Sequence, residues 1–308
     1  MILISEDVWG APFEELSQRR SIHQDDQLWK DQSKLISALQ DAEALVVRNR
    51  TQVNAEVIAA APKLKVIARA GVGLDNIDVK AADAAGVVVV AGLGANAVSV
   101  AELTLGLALA LRRDIANQNQ ETKSGKWVRK PGSEITGSTW GLLGCGATGR
   151  ATAKLLSGFG CKVIGYDPYF KGNEQIEMVG WDQLISSADV ISVHMPATSE
   201  TIGSINKDFF GMLKPNAILV NVGRGELINE DDLAEALSNK VFAGAALDVR
   251  TVEPPAVGKL ENIQNLILTP HIAGITKESQ LAINNILVAN IDLVLDGKAA
   301  THAVGSIK

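Results

Sequence analysis

The stretch GLLGCGATGR (residues 141–150) decides the fold of this 308-residue chain. It contains the pattern G-x-G-x-x-G at Gly144, Gly146 and Gly149, after an apolar run and before the helix-like segment ATGRATAKLLSGF. In a strand–turn–helix unit, the first glycine permits a tight turn, the second lets a phosphate approach the backbone, and the third lets the helix pack on the strand. Because free N–H groups at a helix N-terminus attract anions, the pattern predicts a phosphate-binding loop in an α/β domain.

An acidic residue after the next apolar run indicates which ligand this loop binds. Asp167 ends KVIGYD (162–167), where a carboxylate can accept hydrogen bonds from both ribose hydroxyls of a dinucleotide and repel the extra phosphate of NADP. The alternative interpretation is a turn-forming aspartate before Pro168. We favour NAD as the cofactor, bound by Gly144, Gly146, Ala147, Thr148, Gly149 and Asp167.

Short apolar runs recur along the chain, with helix-like segments such as SKLISALQDA (33–42) and VNAEVIAAAP (53–62) between them. The first series of runs is ILIS (2–5), ALVVRN (44–49), KVIARA (65–70) and VVVVAG (87–92). The second series is TWGLLGC (139–145), KVIGYD, ADVISVHM (188–195), AILVNVG (217–223), AGAALDV (243–249) and NLILTPH (265–271). This alternation predicts an α/β fold with two doubly wound parallel sheets.

Two long segments predict helices outside these series. VSVAELTLGLALALRRDIANQNQ (98–120) predicts one long helix whose first part is apolar nearly all round, so we expect it to be buried in a core, between domains or at a subunit interface. SQLAINNILVANIDLVLDG (279–297) predicts a further helix close to the end of the sequence.

Composition excludes several classes of protein. The formal net charge of −6 argues against binding to nucleic acid or to an anionic membrane. The most apolar stretch, 98–111, is shorter than the roughly 20 residues that span a bilayer, and the start MILISEDVWG is typical of a strand rather than of a signal peptide. Two cysteines make neither a disulfide framework nor a zinc site. We therefore expect a cytoplasmic protein without a metal.

Three polar residues follow predicted strands of the second series, where ligands bind in open α/β sheets. They are Arg224 in VNVGRGEL, Glu253 in DVRTVEPP and His271 in LTPHIAG. Each alone has a plain structural interpretation: a surface cation, a turn-flanking charge and a strand-end histidine. Together they supply a guanidinium that binds a planar carboxylate, an imidazole that donates a proton, and a carboxylate that orients the imidazole. This combination suits hydride transfer to a 2-oxo acid.

Six stretches together carry a resemblance to a known family: RAGVGLDNID (69–78), SVAELTLGLALALRR (99–113), GLLGCGATGR, LKPNAILVNVGRGELINEDDLAEAL (213–237), AGAALDV and LTPHIAG (268–274). Over nearly its whole length the chain resembles the D-isomer-specific 2-hydroxyacid dehydrogenases. The resemblance implies a flavodoxin-like substrate domain (1–97 plus 284–308) into which a Rossmann NAD-binding domain (98–283) is inserted. It also implies a homodimer formed largely through the coenzyme domains.

The resemblance also implies roles for individual residues. Arg224 binds substrate, His271 is the acid/base and Glu253 is its carboxylate partner, while backbone N–H groups at Val72 and Gly73 hold the substrate carboxylate. Asp248 binds the nicotinamide carboxamide, and the remaining cofactor contacts are His194, Pro196, Val222, Gly223 and Gly274. The chain departs from the family at Ala147 and Thr148, where a basic and a branched residue are usual, and at Arg250, where an aromatic residue is common.

A pair of arginines points to the substrate. Arg48 and Arg50 follow a predicted strand, in which residues two apart share a face, and two cations there suit a substrate with a second anionic group. We expect 3-phosphoglycerate/phosphohydroxypyruvate first, with hydroxypyruvate/glyoxylate or sulfolactate as alternatives. Solvated surface arginines are the plain structural interpretation. At this length we expect no C-terminal regulatory domain and no serine feedback through it.

Two other functions remain open. A non-enzymatic NAD(H)-sensing corepressor is a different class of protein on the same fold. A formate dehydrogenase-like activity is disfavoured because that branch carries glutamine where Glu253 stands.

Overall fold

The computed structural model describes residues 1–8 and 10–307, which form two compact units. The first unit combines Met1–Asn96 with Ile275–Lys308, and the second is Ala97–Gly274. The sequence predicted that the chain returns to the first domain at residue 284. In the structure the return comes at Ile275, because one continuous helix begins at Lys277 and belongs to the first unit as a whole.

The strands, in chain order, are β1 (Ile2–Ile4), β2 (Ile22–Gln24), β3 (Ala44–Val47), β4 (Val66–Arg69), β5 (Val88–Ala91), β6 (Thr139–Leu143), β7 (Lys162–Tyr166), β8 (Glu177–Met178), β9 (Val190–Val193), β10 (Ile218–Asn221), β11 (Gly244–Leu247), β12 (Leu266–Leu268) and β13 (Ala303–Val304).

The helices are α1 (Ala11–Ser17), α2 (Gln32–Leu39), α3 (Ala55–Ala59), α4 (Val79–Ala84), α5 (Ala97–Arg112), α6 (Ile115–Lys123), α7 (Ala147–Leu156), α8 (Trp181–Ser187), α9 (Lys207–Met212), α10 (Glu230–Ser238) and α11 (Lys277–Leu295).

The sheet of the first unit has the order β13-β5-β4-β3-β1-β2 and is parallel except for the edge strand β13. The order 2-1-3-4-5 is that of flavodoxin-like domains. Side chains alternate between two apolar cores, so that Ile2 and Ile4 pack with α1 and α11 while Leu3 packs with α2, α3 and α4. The buried strands are therefore apolar on both faces, as the continuous apolar runs predicted.

The sheet of the second unit has the order β12-β11-β10-β9-β6-β7-β8, and every pair in it is parallel. This is the Rossmann order 3-2-1-4-5-6 with one further strand. Helices α5 and α7 cover one face, and α8, α9 and α10 cover the other. The prediction of two doubly wound sheets is confirmed, and the carboxyl ends of β6, β9, β10, β11 and β12 share one edge.

The predicted helix over 98–120 was wrong in one respect, because it is two helices. Asp114 lies between α5 and α6 with φ 51°, in the left-handed region, where a helix cannot continue. The two halves also differ in burial: α5 buries Val100, Leu107 and Ala108, whereas α6 buries no residue. None of the helices described is both long and apolar enough to cross a membrane.

Candidate active site

The sheet of the second unit places three of the predicted site residues just beyond the ends of neighbouring strands. Arg224 lies three residues after β10, Asp248 directly follows β11, and His271 lies three residues after β12. Parallel strands end at the same edge, so the sequence order alone brings these segments together. Glu253 comes from the segment that follows Asp248.

His271 and Glu253 form the hydrogen-bonded pair that the sequence predicted. His271 Nδ1 lies 2.7 Å from Glu253 Oε2, and both side chains are partly exposed. His271 has φ 54°, a left-handed conformation that is uncommon for a residue with a side chain. The other carboxylate oxygen, Glu253 Oε1, accepts the backbone N–H of Arg250 at 3.0 Å. The carboxylate is therefore held on both sides.

Asp248 shapes the turn that carries His271. Its buried carboxylate accepts the hydroxyl of Thr269 at 2.6 Å and the backbone N–H groups of Ile272 and Ala273 at 2.9 and 2.8 Å. Its carbonyl oxygen accepts the N–H of His271 at 2.7 Å. These bonds fix the strained turn from both flanks of His271. The contact with a nicotinamide carboxamide, implied by the family resemblance, stays a prediction for Asp248.

Arg224 lies on a turn fixed by Asn221, a residue that the sequence reasoning missed. The Asn221 side chain is buried; it accepts the N–H of Gly223 at 3.0 Å and donates to the carbonyl of Arg224 at 2.9 Å. The Arg224 guanidinium is half-buried and donates to the Gly223 carbonyl at 2.8 Å. The sequence does hold a signal for this role, because Asn221 is a polar residue at the end of the apolar run AILVN (217–221).

The glycine loop has the geometry that a dinucleotide requires. Gly144 has φ 94°, and a Cβ on Gly149 would overlap the Gly144 carbonyl oxygen. Both positions therefore exclude a side chain. Helix α7 starts at Ala147, which is exposed beside the half-buried Thr148, and Gly146 caps the helix without a side-chain hydrogen bond. The first N–H groups of α7 are thus available to an anion.

Asp167 follows β7 and contacts the glycine loop directly. Its Oδ2 accepts the N–H of Cys145 at 2.8 Å, and its Oδ1 accepts the N–H groups of Tyr169 and Phe170. Asp167 therefore makes the turn that was the alternative interpretation, and it also stabilises the loop. Burial, together with the nearby Asp167 carboxylate, raises the pKa of the Cys145 thiol to about 12, so this thiol stays protonated.

His194 lies under the glycine loop at the end of a buried polar chain. Trp140 Nε1 donates to Ser192 Oγ at 2.8 Å, and Ser192 Oγ lies 3.0 Å from His194 Nε2. Burial lowers the pKa of His194 to about 3, which keeps the ring neutral. Within residues 1–8 and 10–307 its buried Nδ1 has no hydrogen-bond partner.

The turn after β10 carries further predicted cofactor contacts. Val222 is buried, and a Cβ on Gly223 would lie 2.8 Å from the Met195 carbonyl oxygen. Pro196 is exposed, and Gly274 is the last residue of the second unit. The tight glycine positions, the uncapped helix and the acidic residue after β7 fit NAD.

In the first unit, the loop after β3 carries the two arginines. Because β3 ends at Val47, strand alternation does not govern Arg48 and Arg50. Instead, the buried Glu6 carboxylate accepts the N–H groups of Arg48, Arg50 and Thr51 at 2.8–3.1 Å. The Arg50 guanidinium lies over the Trp29 ring at 5.0 Å. The sequence reasoning missed Glu6, whose signal was an acid directly after the buried run ILIS.

The loop with Val72 and Gly73 lies after β4 in the same unit. Over the part of the chain that the structure describes, the N–H groups of Val72 and Gly73 form no hydrogen bond. Asn76, further along this loop, donates to the carbonyls of Arg48 and Thr51 at 3.2 and 2.7 Å. The backbone of the arginine loop is therefore held from two sides.

Comparisons with known proteins agree with this geometry. The model of the family described as D-isomer specific 2-hydroxyacid dehydrogenase, NAD binding domain, matches residues 105–273. The D-3-phosphoglycerate dehydrogenase of Mycobacterium leprae (strain TN) is 42% identical over 280 residues, which cover 89% of this chain and 53% of that protein. The chain thus spans about half the length of the curated relatives it matches.

Solved structures match the chain from end to end. A crystal structure of a protein from Thermus thermophilus has a TM-score of 0.92 at 30% identity and covers 98% of this chain and 99% of that one. The NADPH-dependent glyoxylate/hydroxypyruvate reductase of Sinorhizobium meliloti, in complex with NADP and malonate, has a TM-score of 0.89 at 28% identity, with 99% and 97% covered.

The Rossmann sheet and its glycine loop define a dinucleotide-binding protein. The chain belongs to the family of D-isomer-specific 2-hydroxyacid dehydrogenases, and its second unit carries the NAD-binding domain of that family.

Proposed function

We propose that this chain is an NAD-dependent oxidoreductase that interconverts a small D-2-hydroxy acid and its 2-oxo acid. The observation that carries the proposal is the contact of His271 Nδ1 with Glu253 Oε2 at 2.7 Å, on the turn fixed by Asp248. An imidazole held by a carboxylate at the strand ends of a Rossmann domain suits proton exchange with a hydroxyl or carbonyl oxygen.

The proposed roles follow from the hydrogen-bond inventory of each group. An ionised carboxylate only accepts, so His271 Nδ1 carries a hydrogen toward Glu253, and Nε2 is the atom that gains and loses the proton. Arg224 binds the substrate carboxylate through a planar guanidinium. NAD, when bound, accepts the hydride in oxidation and returns it in reduction.

We assign a second anionic group to the substrate, with 3-phosphoglycerate/phosphohydroxypyruvate as first choice. Arg48 and Arg50 lie on a loop whose backbone Glu6 and Asn76 fix. A guanidinium that lies over an aromatic ring, as that of Arg50 does over Trp29, can still donate to a phosphate through its N–H edge. The 42% identity to a D-3-phosphoglycerate dehydrogenase supports this choice. Substrate binding by Arg48, Arg50, Val72 and Gly73 stays a prediction, as does the division into a substrate domain and a coenzyme domain.

Other substrates and one other class of protein are alternatives. The likeness to a glyoxylate/hydroxypyruvate reductase supports hydroxypyruvate or glyoxylate as the second candidate, and sulfolactate also carries a second anion. A corepressor-like NAD(H) sensor requires the cofactor site but no acid/base pair, so the intact contact of His271 with Glu253 favours the enzyme.

We further propose a homodimer formed through the second unit. The segment after α6 exposes Trp127, which is 77% accessible, beside the exposed Val128, and Ile115 at the start of α6 is also exposed. Tryptophan is enriched where protein surfaces meet. A reducing, cytoplasmic location stays a prediction, supported by two cysteines that are free thiols.

A panel of 2-oxo acids tests the function. Purified protein and NADH are mixed with phosphohydroxypyruvate, hydroxypyruvate, glyoxylate, sulfopyruvate and pyruvate, and NADH oxidation is followed. We expect the highest kcat/KM with phosphohydroxypyruvate, reduced most by Arg48→Ala and Arg50→Ala, while pyruvate use changes little. Equal losses for both substrates would remove the anionic-group argument. Tight NADH binding without reduction of any substrate would favour the sensor.

The choice of NAD over NADP is tested separately with Asp167→Ala. We expect the ratio of Kd values for NADPH and NADH to fall about tenfold, because one repelling charge is lost. The contact with Cys145 is lost too, so both affinities fall, and only their ratio reports on the ribose contact. An unchanged ratio would mean that Asp167 acts only on the loop.

A further inference from the structure

Arg250 stands where the family resemblance implies an aromatic residue, and its side chain is almost completely buried in a set of ion pairs. The Arg250 side chain is 11% exposed. Its Nε and Nη2 donate to the two carboxylate oxygens of Glu230 at 3.0 and 2.9 Å, and its Nη1 donates to Glu261 at 2.8 Å. A guanidinium that donates hydrogen bonds from Nε and from both Nη atoms is fixed in orientation as well as in place.

The carboxylates of Glu230 and Glu261 connect Arg250 to the two ends of the segment 251–258. Glu230 is the first residue of α10 and also accepts the N–H of Thr251 at 3.0 Å. Glu261 also accepts the N–H of Gly258 at 2.7 Å. Hydrogen bonds from Arg250 lower the pKa of Glu230, and they lower the pKa of Glu261 to about 2, so both carboxylates stay ionised at neutral pH.

The backbone of Arg250 lies against the turn that carries Arg224. A Cβ on Gly225 would overlap both the carbonyl carbon and the carbonyl oxygen of Arg250, so only glycine allows this approach. The Thr251 hydroxyl donates to the Gly225 carbonyl at 3.4 Å. Movement of residue 250 would therefore disturb the residue next to Arg224.

The backbone N–H of Arg250 also reaches the acid/base pair. It donates to Glu253 Oε1 at 3.0 Å, which turns Oε2 toward His271 Nδ1 at 2.7 Å. We propose that Arg250 is a positioning residue: its ion pairs with Glu230 and Glu261 fix the backbone amide that aims Glu253 at His271. This proposal deepens the proposed oxidoreductase function and rests on it for its effect on turnover.

The chain offers a matched control on the same segment. Lys259 pairs with Asp231 of α10 at 2.6 Å, but the two side chains are 75% and 78% exposed. Such a pair contributes little to the position of a backbone. Lys259→Met therefore removes a cation between the same two elements without touching the residues that hold Glu253.

The experiment compares Arg250→Met, Arg250→Lys and Lys259→Met. In Arg250→Met we expect kcat to fall about tenfold, part of the roughly 10²–10⁴ that a positioned acid/base residue supplies, with the KM for NADH within about twofold. Arg250→Lys keeps the charge but loses the paired hydrogen bonds, so we expect its kcat to lie between those of Arg250→Met and the wild type. Lys259→Met matches the wild type. If Arg250→Met does not fold, Glu261→Gln, which removes one partner, is expected to lower kcat about threefold.

A measurement independent of turnover separates this proposal from the proposed function. We expect the Nδ1 proton of His271, held by Glu253, to give a downfield NMR signal at low temperature in the protein without substrate, assigned by its loss in His271→Gln. We expect Arg250→Met to lose this signal and to speed amide exchange over residues 250–253. An unchanged signal and a kcat within twofold would overturn the role of Arg250 while leaving the enzyme intact. A wild type that reduces no substrate would refute the function, and the NMR signal would still decide the role of Arg250.

Discussion

The two units fix their functional loops with the same device but use the result differently. In the first unit the buried Glu6, after β1, accepts three N–H groups of the loop after β3. In the second unit the buried Asp248, after β11, accepts two N–H groups and one hydroxyl of the turn after β12. In both cases a carboxylate just after one strand accepts the N–H groups of the loop that follows the neighbouring strand, where the hydrogen bonds between the strands have ended.

The difference lies in the side chains that these loops carry. His271 is itself paired with Glu253, so its ring as well as its backbone is held. Arg50 rests on the Trp29 ring at 5.0 Å and remains exposed. Proton transfer requires placement to within tenths of an ångström, whereas binding of an anionic group tolerates long, mobile side chains. This contrast supports the proposal that the second unit carries the acid/base pair and the first unit selects the substrate.

The largest effect is expected where the side chain itself is removed. His271→Gln should lower kcat about 10²–10⁴-fold while the Kd for NADH stays within about twofold, because the proposed proton donor is lost and the glycine loop is untouched. Steady-state rates and NADH fluorescence titration measure the two quantities. His23→Gln, on the exposed edge strand β2, is the matched control. A kcat within tenfold of wild type would exclude His271 as the acid/base.

The next largest effect is expected when the hydrogen bonds between Asp248 and the turn that carries His271 are broken. Asp248→Asn places an amide N–H₂ against one of the groups that now donates to the carboxylate, so one buried donor loses its partner. We expect the free energy of unfolding to fall by about 1–3 kcal/mol and kcat to fall more than the KM for substrate rises. Urea unfolding and steady-state kinetics check this. Loss of stability with full kcat would show that the turn does not position His271.

The same change in the first unit should leave chemistry intact. Glu6→Gln is expected to lower the free energy of unfolding by a similar amount, about 1–3 kcal/mol, but to act on KM rather than kcat. The KM for phosphohydroxypyruvate should rise more than that for pyruvate, because under the proposed function the arginine loop binds the phosphate that pyruvate lacks. If kcat falls as far as in Asp248→Asn, the contrast between the units is wrong.

The last expected effect appears only at acid pH and concerns His194, the other histidine of the second unit, whose ring contacts no carboxylate among residues 1–8 and 10–307. Because the pKa of His194 is about 3 in the fold and about 6.5 in an unfolded chain, stability falls as pH drops from about 6.5 to about 3. The slope reaches about 1.4 kcal/mol per pH unit for one proton. His194→Gln should reduce this slope between pH 6 and pH 4.5 in urea unfolding. Equal slopes would mean that His194 is protonated in the folded protein.

Central strands could be predicted from the sequence because each is an apolar run buried on both faces. The run VVVVAG predicted residues 87–92, and β5 spans Val88–Ala91. Polar edge strands could not: β2 consists of Ile-His-Gln with two exposed residues, so it lacks the apolar signal that the edge strand β12 still has in Leu266–Leu268. Its position depends on pairing with β1, which is a tertiary interaction.

The site divides in the same way. The contact between His271 and Glu253 could be predicted because the two residue types and their places after strands are visible in the sequence; their acid/base role stays a prediction. The partners of Arg250 could not, because Glu230 and Glu261 lie 20 positions before it and 11 after it, among many other acids. Only the folded structure brings those two acids to Arg250. The hydrogen bonds of Asp248 with Ile272 and Ala273 likewise join residues far apart in the sequence.

The interrupted path of the chain allows the second unit to fold before the first is complete during synthesis. Helix α11 packs with Ile2 and Ile4 through Ile283, Leu287 and Ile291, and Arg19 and Arg20 pair with its Asp292. Because α11 leaves the ribosome after the whole of the second unit, the second unit can finish folding first. A nascent chain that ends at Gly274 would hold one complete unit and one sheet with a bare apolar face, the kind of surface that chaperones bind.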